Sequence, residues 1–198
     1  MFYFGVTFKD DRVDALFDLA RLVLEPEFSR KTHITLRGPY RTKPKNTSKW
    51  FDHDVGSVTL SRPGNFFQAD QNTVFIRCEI PFVKDIWHKP DYQQGTPHLT
   101  LYDGDSRRFA WMIMNELRKY EWNLTLKSSK LQIISSKQRI ETKYLVDGSR
   151  IDGALADIAA KKYNIEKLKY LHEGQRVYLL GQICRQIHFL THPSLALI

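Results

Sequence analysis

Thr32-His33-Ile34-Thr35-Leu36 and Pro97-His98-Leu99-Thr100-Leu101 carry one pattern twice: histidine, apolar residue, threonine, apolar residue. A glycine follows each within a few positions, Gly38 and Gly104. On a β-strand side chains alternate between faces, so each histidine shares a face with the threonine two positions on. Ile34, Leu36, Leu99 and Leu101 then point the other way, into a core. Given this composition, a histidine is followed by apolar-Thr-apolar by chance about 1% of the time. Two such matches among seven histidines therefore stand well above accident.

Around these strands the chain reads as mixed α and β. Met1–Lys9 alternates Phe2, Phe4, Val6 and Phe8 as a strand would. Asp10-Asp11 supply acidic caps for a helix over Asp11–Leu24, and Pro26 ends it. Arg41–Lys49 reads as a basic loop. Ser57–Ser61 and Thr73–Ile80 read as strands, with Pro63-Gly64-Asn65 as turn material between them. Pro81–Thr96 is irregular, Ser106–Tyr120 helical, and Trp122–Ser135 strand or hairpin. After Asp147-Gly148 the pattern turns helical, over Ile151–Tyr163, a short stretch with Ile165, Leu168 and Leu171, and Glu173–Leu190. A strand followed by a short histidine strand and a turn occurs twice, which suggests an α+β protein with two related lobes. The expected division is a domain over 1–146 and a helical extension over 147–198 packed on it.

The chain has 198 residues, 42% hydrophobic and 26% charged, enough for a core without staples. No apolar run reaches membrane-spanning length, and Met1–Asp10 has no leader pattern, so neither membrane nor secretion is expected. Cys78 and Cys184 sit in apolar contexts and read as free buried thiols, which fits a cytoplasmic setting. The net charge of +8 favours polyanionic partners, although solubility alone would also account for it.

Paired His-x-Thr strands in a small α+β chain resemble the two-histidine (2H) phosphoesterase superfamily, which includes bacterial RNA 2',3'-cyclic phosphodiesterases, formerly called 2'-5' RNA ligases. The resemblance covers roughly residues 1–135, including the strand with Phe66-Phe67 and the Thr73–Glu79 strand. It implies a bilobal fold with two pseudo-symmetric antiparallel sheets around a central cleft, with C-terminal helices added. It also implies that both motifs lie on neighbouring strands of that cleft. The activity implied is cleavage of a nucleotide or short RNA phosphodiester (2',3'-cyclic, 2'-5' or cyclic oligonucleotide), with no metal and no cofactor. DNA duplex is not an expected partner.

The chemistry suits these residues. Breaking a phosphodiester needs one proton removed from the attacking hydroxyl and one delivered to the departing oxygen. A neutral and a protonated imidazole, His33 and His98, do both near neutral pH. Thr35 and Thr100 hydroxyls can donate to the phosphoryl oxygens as charge develops on them. A hydrogen-bonded core role for each histidine is the plain alternative, and the pairing argues against it. Zinc ligation is a rival, but no Asp, Glu or Cys stands at ligand spacing.

Five further residues are weaker candidates for substrate binding. Arg37, two positions beyond Thr35, could hold a phosphate or be a surface charge. Tyr102, at the matching place after Thr100, could stack on a base or hydrogen-bond phosphate. Tyr40, Arg41 and Lys43 could flank a nucleotide or belong to a solvated loop. His53 reads as an exposed loop residue, and His88, His172, His188 and His192 as structural. The stripe Val177, Leu180, Ile183, Ile187 and Leu190 reads as helix packing, with a dimer face or cleft lid as alternatives. A non-catalytic nucleotide- or RNA-binding module and an RNA end-joining enzyme are the competing functions.

Overall fold

A computed structural model describes residues 1–27, 30–45, 54–81, 83–88, 95–140 and 165–192. His53, the helix expected over Ile151–Tyr163 and the expected boundary at 146/147 lie outside the described residues.

Seven strands form one antiparallel sheet: β1 (Phe2–Val6), β2 (Ile34–Tyr40), β3 (Ser57–Phe67), β4 (Asn72–Glu79), β5 (His98–Gly104), β6 (Leu124–Lys127) and β7 (Gln132–Ser135). Their order is β6-β3-β4-β5-β2-β1-β7. The expected α+β class therefore holds, while the two separate sheets do not. The halves β6-β3-β4-β5 and β2-β1-β7 meet where β2 pairs with β5 through Ile34 and Leu99. One ladder pair at this seam is enough to make a single sheet out of two similar halves.

Two local expectations are corrected. Pro63-Gly64-Asn65 is not a turn but runs inside β3, with Pro63 opposite Ile76. Proline is tolerated there because β6 pairs only with Ser57–Leu60, so Pro63 lies on an open edge where no N–H is required. Gly64 also has a reason: a Cβ there would come within 2.5 Å of the Phe75 ring. The second correction concerns Trp122–Ser135, which is not a hairpin, because β6 and β7 lie at opposite ends of the sheet. The chain between them draws the two ends together, with Lys9 N–H donating to the Lys127 carbonyl, Ser128 to Gly56 and Ser129 to Thr7.

The helices follow their capping signals. In α1 (Asp11–Leu24) Asp10 accepts from the backbone N–H groups of Arg12 and Val13, and Asp11 and Asp14 occupy the first turn. Pro81–Thr96 contains one helical turn, α2 (Val83–Ile86). α3 (Arg107–Leu117) starts at Ser106, whose hydroxyl accepts from Phe109 N–H at 3.1 Å. α4 (Ile165–Lys169) leads to α5 (Glu173–Thr191), which packs on α1 and α3 with Leu180, Ile183, Cys184 and Ile187 buried. These join Ile34, Leu36, Val74, Ile76, Leu99 and Leu101 in one hydrophobic cluster. The C-terminal stripe is thus a core face shared with the strands that carry the two histidine motifs. Both cysteines are buried free thiols. Among the described residues no helix is long and apolar enough to cross a membrane.

Candidate active site

With the helices on one face, the motifs' polar side chains are left on the other. Ile34, Leu36, Leu99 and Leu101 are buried in the core, and His33, Thr35, His98 and Thr100 are half-buried on the opposite side. Continuing the antiparallel Ile34–Leu99 register by one residue either way sets His33 opposite Thr100 and Thr35 opposite His98. The two motifs therefore face each other head to tail, each imidazole across from the other's hydroxyl. All four side chains line one cavity of about 420 Å³.

Both rings are oriented in the same way. Nδ1 of His33 lies 3.2 Å from the Lys31 carbonyl, and Nδ1 of His98 lies 2.9 Å from the Thr96 carbonyl, two residues upstream in each case. A carbonyl only accepts, so Nδ1 carries the proton and Nε2 is the basic nitrogen of the neutral ring. One orientation repeated on both strands gives each imidazole the same proton-handling atom.

The first motif is tethered by a buried carboxylate. Asp18 of α1 accepts from both the N–H and the hydroxyl of Thr32, at 2.7 and 2.6 Å. Burial, aided by the nearby Asp14 charge, pushes the Asp18 carboxyl up to about 6 against the opposing bonds from Thr32. The second motif has Pro97 in the matching position, which has no N–H to satisfy. Lys31 pairs with Asp14 at 3.3 Å. Burial pulls its ammonium down, but Asp14 and Asp18 more than offset this and leave it above its ordinary value.

The far end of the cavity is a polar network. Gln71 and Thr73 both donate to Asp103 Oδ1 at 2.6 Å, and Asp103 N–H donates to Glu25 at 2.9 Å. Glu25 in turn pairs with the buried Arg21 at 3.2 Å. Arg30, Lys31 and Arg139 add cationic side chains to the cavity lining. The His98 side is aromatic, with its ring centroid 4.7 Å from Phe75 and 5.4 Å from Phe66. Among the described residues no three His, Cys, Asp or Glu side chains converge as a metal-ligand set.

The expected substrate-binding residues are not brought into this cavity. Tyr102 is a core residue, 5% exposed, whose hydroxyl accepts from Ser106 N–H. The cause is an irregularity in β5: Thr100 pairs with Phe75 and Tyr102 with the adjacent Val74, so the extra residue between them flips the alternation. Asp103 thereby takes the cleft position expected for Tyr102. Arg37 does not line the cavity either, since its guanidinium donates to the Ile86 carbonyl at 2.8 Å and to Tyr40 at 3.4 Å. Tyr40 packs edge-on against Phe4. Arg41 and Lys43 are exposed and lie outside the cavity lining.

Alternation carried backward from each histidine points to Lys31 and Thr96, which both line the cavity. Arg21, Arg30, Gln71, Asp103 and Arg139 arrive from separate elements and leave no local sequence signal. No family model, no curated protein and no solved structure matches this chain.

Proposed function

We propose that this cleft is the catalytic centre of a metal-independent phosphodiesterase of the two-histidine type, acting on a nucleotide or oligonucleotide. The observation that carries the reading is the head-to-tail pairing of the motifs, with both imidazoles and both hydroxyls lining one cavity.

In hydrolysis, Nε2 of the neutral histidine takes a proton from water as the water oxygen bonds to phosphorus. The protonated histidine gives its proton to the ester oxygen as the phosphorus–oxygen bond breaks. The products are an alcohol and a phosphomonoester, and the two histidines have exchanged protonation states. Thr35 and Thr100 donate to the non-bridging oxygens, where charge grows. Arg30, Lys31 and Arg139 favour entry of an anion. The exposed ring of Phe66 suits a stacked base. The two free thiols fit a reducing, cytoplasmic setting.

The test is a nucleotide panel of 2',3'-cyclic, 2'-5', 3'-5' and cyclic oligonucleotide phosphodiesters, assayed in excess chelator with product analysis. Cleavage that persists in chelator is expected. Loss of turnover in chelator, restored by zinc or magnesium, would overturn the mechanism.

A further inference from the structure

The cleft face of the sheet does not stop at the histidines. On β4, Arg77 lies directly opposite His98, and on β3, Arg62 lies directly opposite Arg77. Paired residues of adjacent antiparallel strands project to the same side, and strands are about 4.8 Å apart. Arg77 is thus one strand and Arg62 two strands out from His98. Both line a second cavity of about 480 Å³ together with Arg118, which follows α3. Three cations and no carboxylate line it among the described residues, and no ion pair of these arginines with a described acid is present.

Phe66 joins the two cavities. Phe66 lines both, is 38% exposed, and its ring centroid is 4.5 Å from that of Phe75. Gly64 leaves the space in which the Phe75 ring lies. An exposed aromatic ring, here Phe66 backed by the buried Phe75, beside arginines with no acidic partner among the described residues forms the combination that holds single-stranded nucleic acid, stacking a base and tracking the phosphates. Three cations beyond the aromatic wall offer contacts to phosphates that a small cyclic nucleotide does not carry.

We infer that Arg62, Arg77 and Arg118 form a phosphate-binding subsite for the nucleotides flanking the scissile linkage, so that the substrate is a single-stranded oligonucleotide. This rests on the phosphodiester reading of the cleft. In the bound chain, a base stacks on Phe66 while its neighbouring phosphate reaches the arginines.

Binding tests this independently of turnover. A fluorescein-labelled single-stranded octanucleotide RNA is titrated by anisotropy over a salt series, using the full chain, R62A/R77A/R118A and F66A, with melting of each recorded. Each phosphate contact on a single strand contributes about 0.7 to the slope of log affinity against log salt, so the triple variant should lose about 2 from that slope. F66A should weaken binding roughly tenfold while its slope stays unchanged. R77A alone, read the same way, keeps the test decisive if the triple variant is unstable, because its slope should fall by about 0.7. No binding by the wild type, unchanged slopes in the arginine variants, or an acidic peptide of equal charge binding as tightly as the RNA would each overturn the subsite. RNA binding that depends on the arginines, in a protein that cleaves nothing, would leave the subsite standing and remove the catalytic reading. Cleavage with unchanged slopes would do the reverse.

Discussion

Around His33 the cleft is lined by Lys31, Arg30 and Tyr3, whereas around His98 it is lined by the ring of Phe66, with the buried Phe75 ring packed behind against His98. The backbone treats the two histidines alike, with the same upstream carbonyl holding each Nδ1. Their anchors differ: Thr32 needs Asp18 to satisfy its N–H, and Pro97 needs nothing. On the proposed reading, a symmetric pair of imidazoles inside asymmetric walls suits a reaction whose two proton transfers are mirror images but whose substrate has unlike ends. The charge on one side and the rings on the other would set which end of the substrate goes where.

Breaking the symmetric part should have the largest effects. Alanine at His33 or at His98 should each remove roughly 10² to 10⁴ from the rate and abolish one limb of a bell-shaped pH profile. Next come the hydroxyls. Thr35→Val and Thr100→Val keep the β-branched shape, and each should cost about a hundredfold in kcat, near 3 kcal/mol, with little change in melting. Comparable losses at both positions would confirm that the hydroxyls act on one phosphate. Full activity in both folded variants would make them structural.

The asymmetric anchor should appear in stability rather than rate. Asp18 has a folded pKa raised to about 6, so the folded state holds its proton more tightly than the unfolded chain does. Its contribution is fully present below the ordinary carboxylate value and is lost as pH rises through about 6, on the order of 2 to 3 kcal/mol. Denaturant unfolding at pH 4 and pH 7.5 should show that loss in the wild type and a much smaller one in Asp18→Asn. An identical pH dependence in both proteins would mean that Asp18 does not titrate in this range. The smallest effect is expected at Tyr102. Tyr102→Phe should leave turnover unchanged and lower stability by about 1 kcal/mol through loss of the Ser106 bond. A rate loss without a stability loss would return Tyr102 to the cleft.

The four motif residues were legible because strand alternation is a local rule, and both strands obey it through Thr35 and Thr100. Beyond that point the rule broke on particular features. An irregularity after Thr100 turned Tyr102 inward and Asp103 outward, and nothing in Leu101-Tyr102-Asp103 announces it. The same kind of irregularity follows Thr35, which pairs with Gly5 while Arg37 pairs with the adjacent Phe4, so Arg37 leaves the expected face and its guanidinium reaches the Ile86 carbonyl, an acceptor 49 residues away in the chain. The Pro63-Gly64 pair carried a strong turn signal, overridden because the strand edge there is open and Phe75 needs the space. The α+β class was readable from the periodicities. The fusion of the halves into one sheet depends on the pairing of Ile34 with Leu99, a long-range contact with no local trace.

The most direct measurement is a double-mutant cycle on His33→Ala and His98→Ala, with turnover and melting recorded on the same preparations of each single and the double. Two residues that serve one transition state fail together, so the double variant should be far less damaged than the product of the two singles, with melting nearly constant. Strictly multiplicative losses, or losses that follow melting alone, would mean that the two histidines do not share a catalytic site.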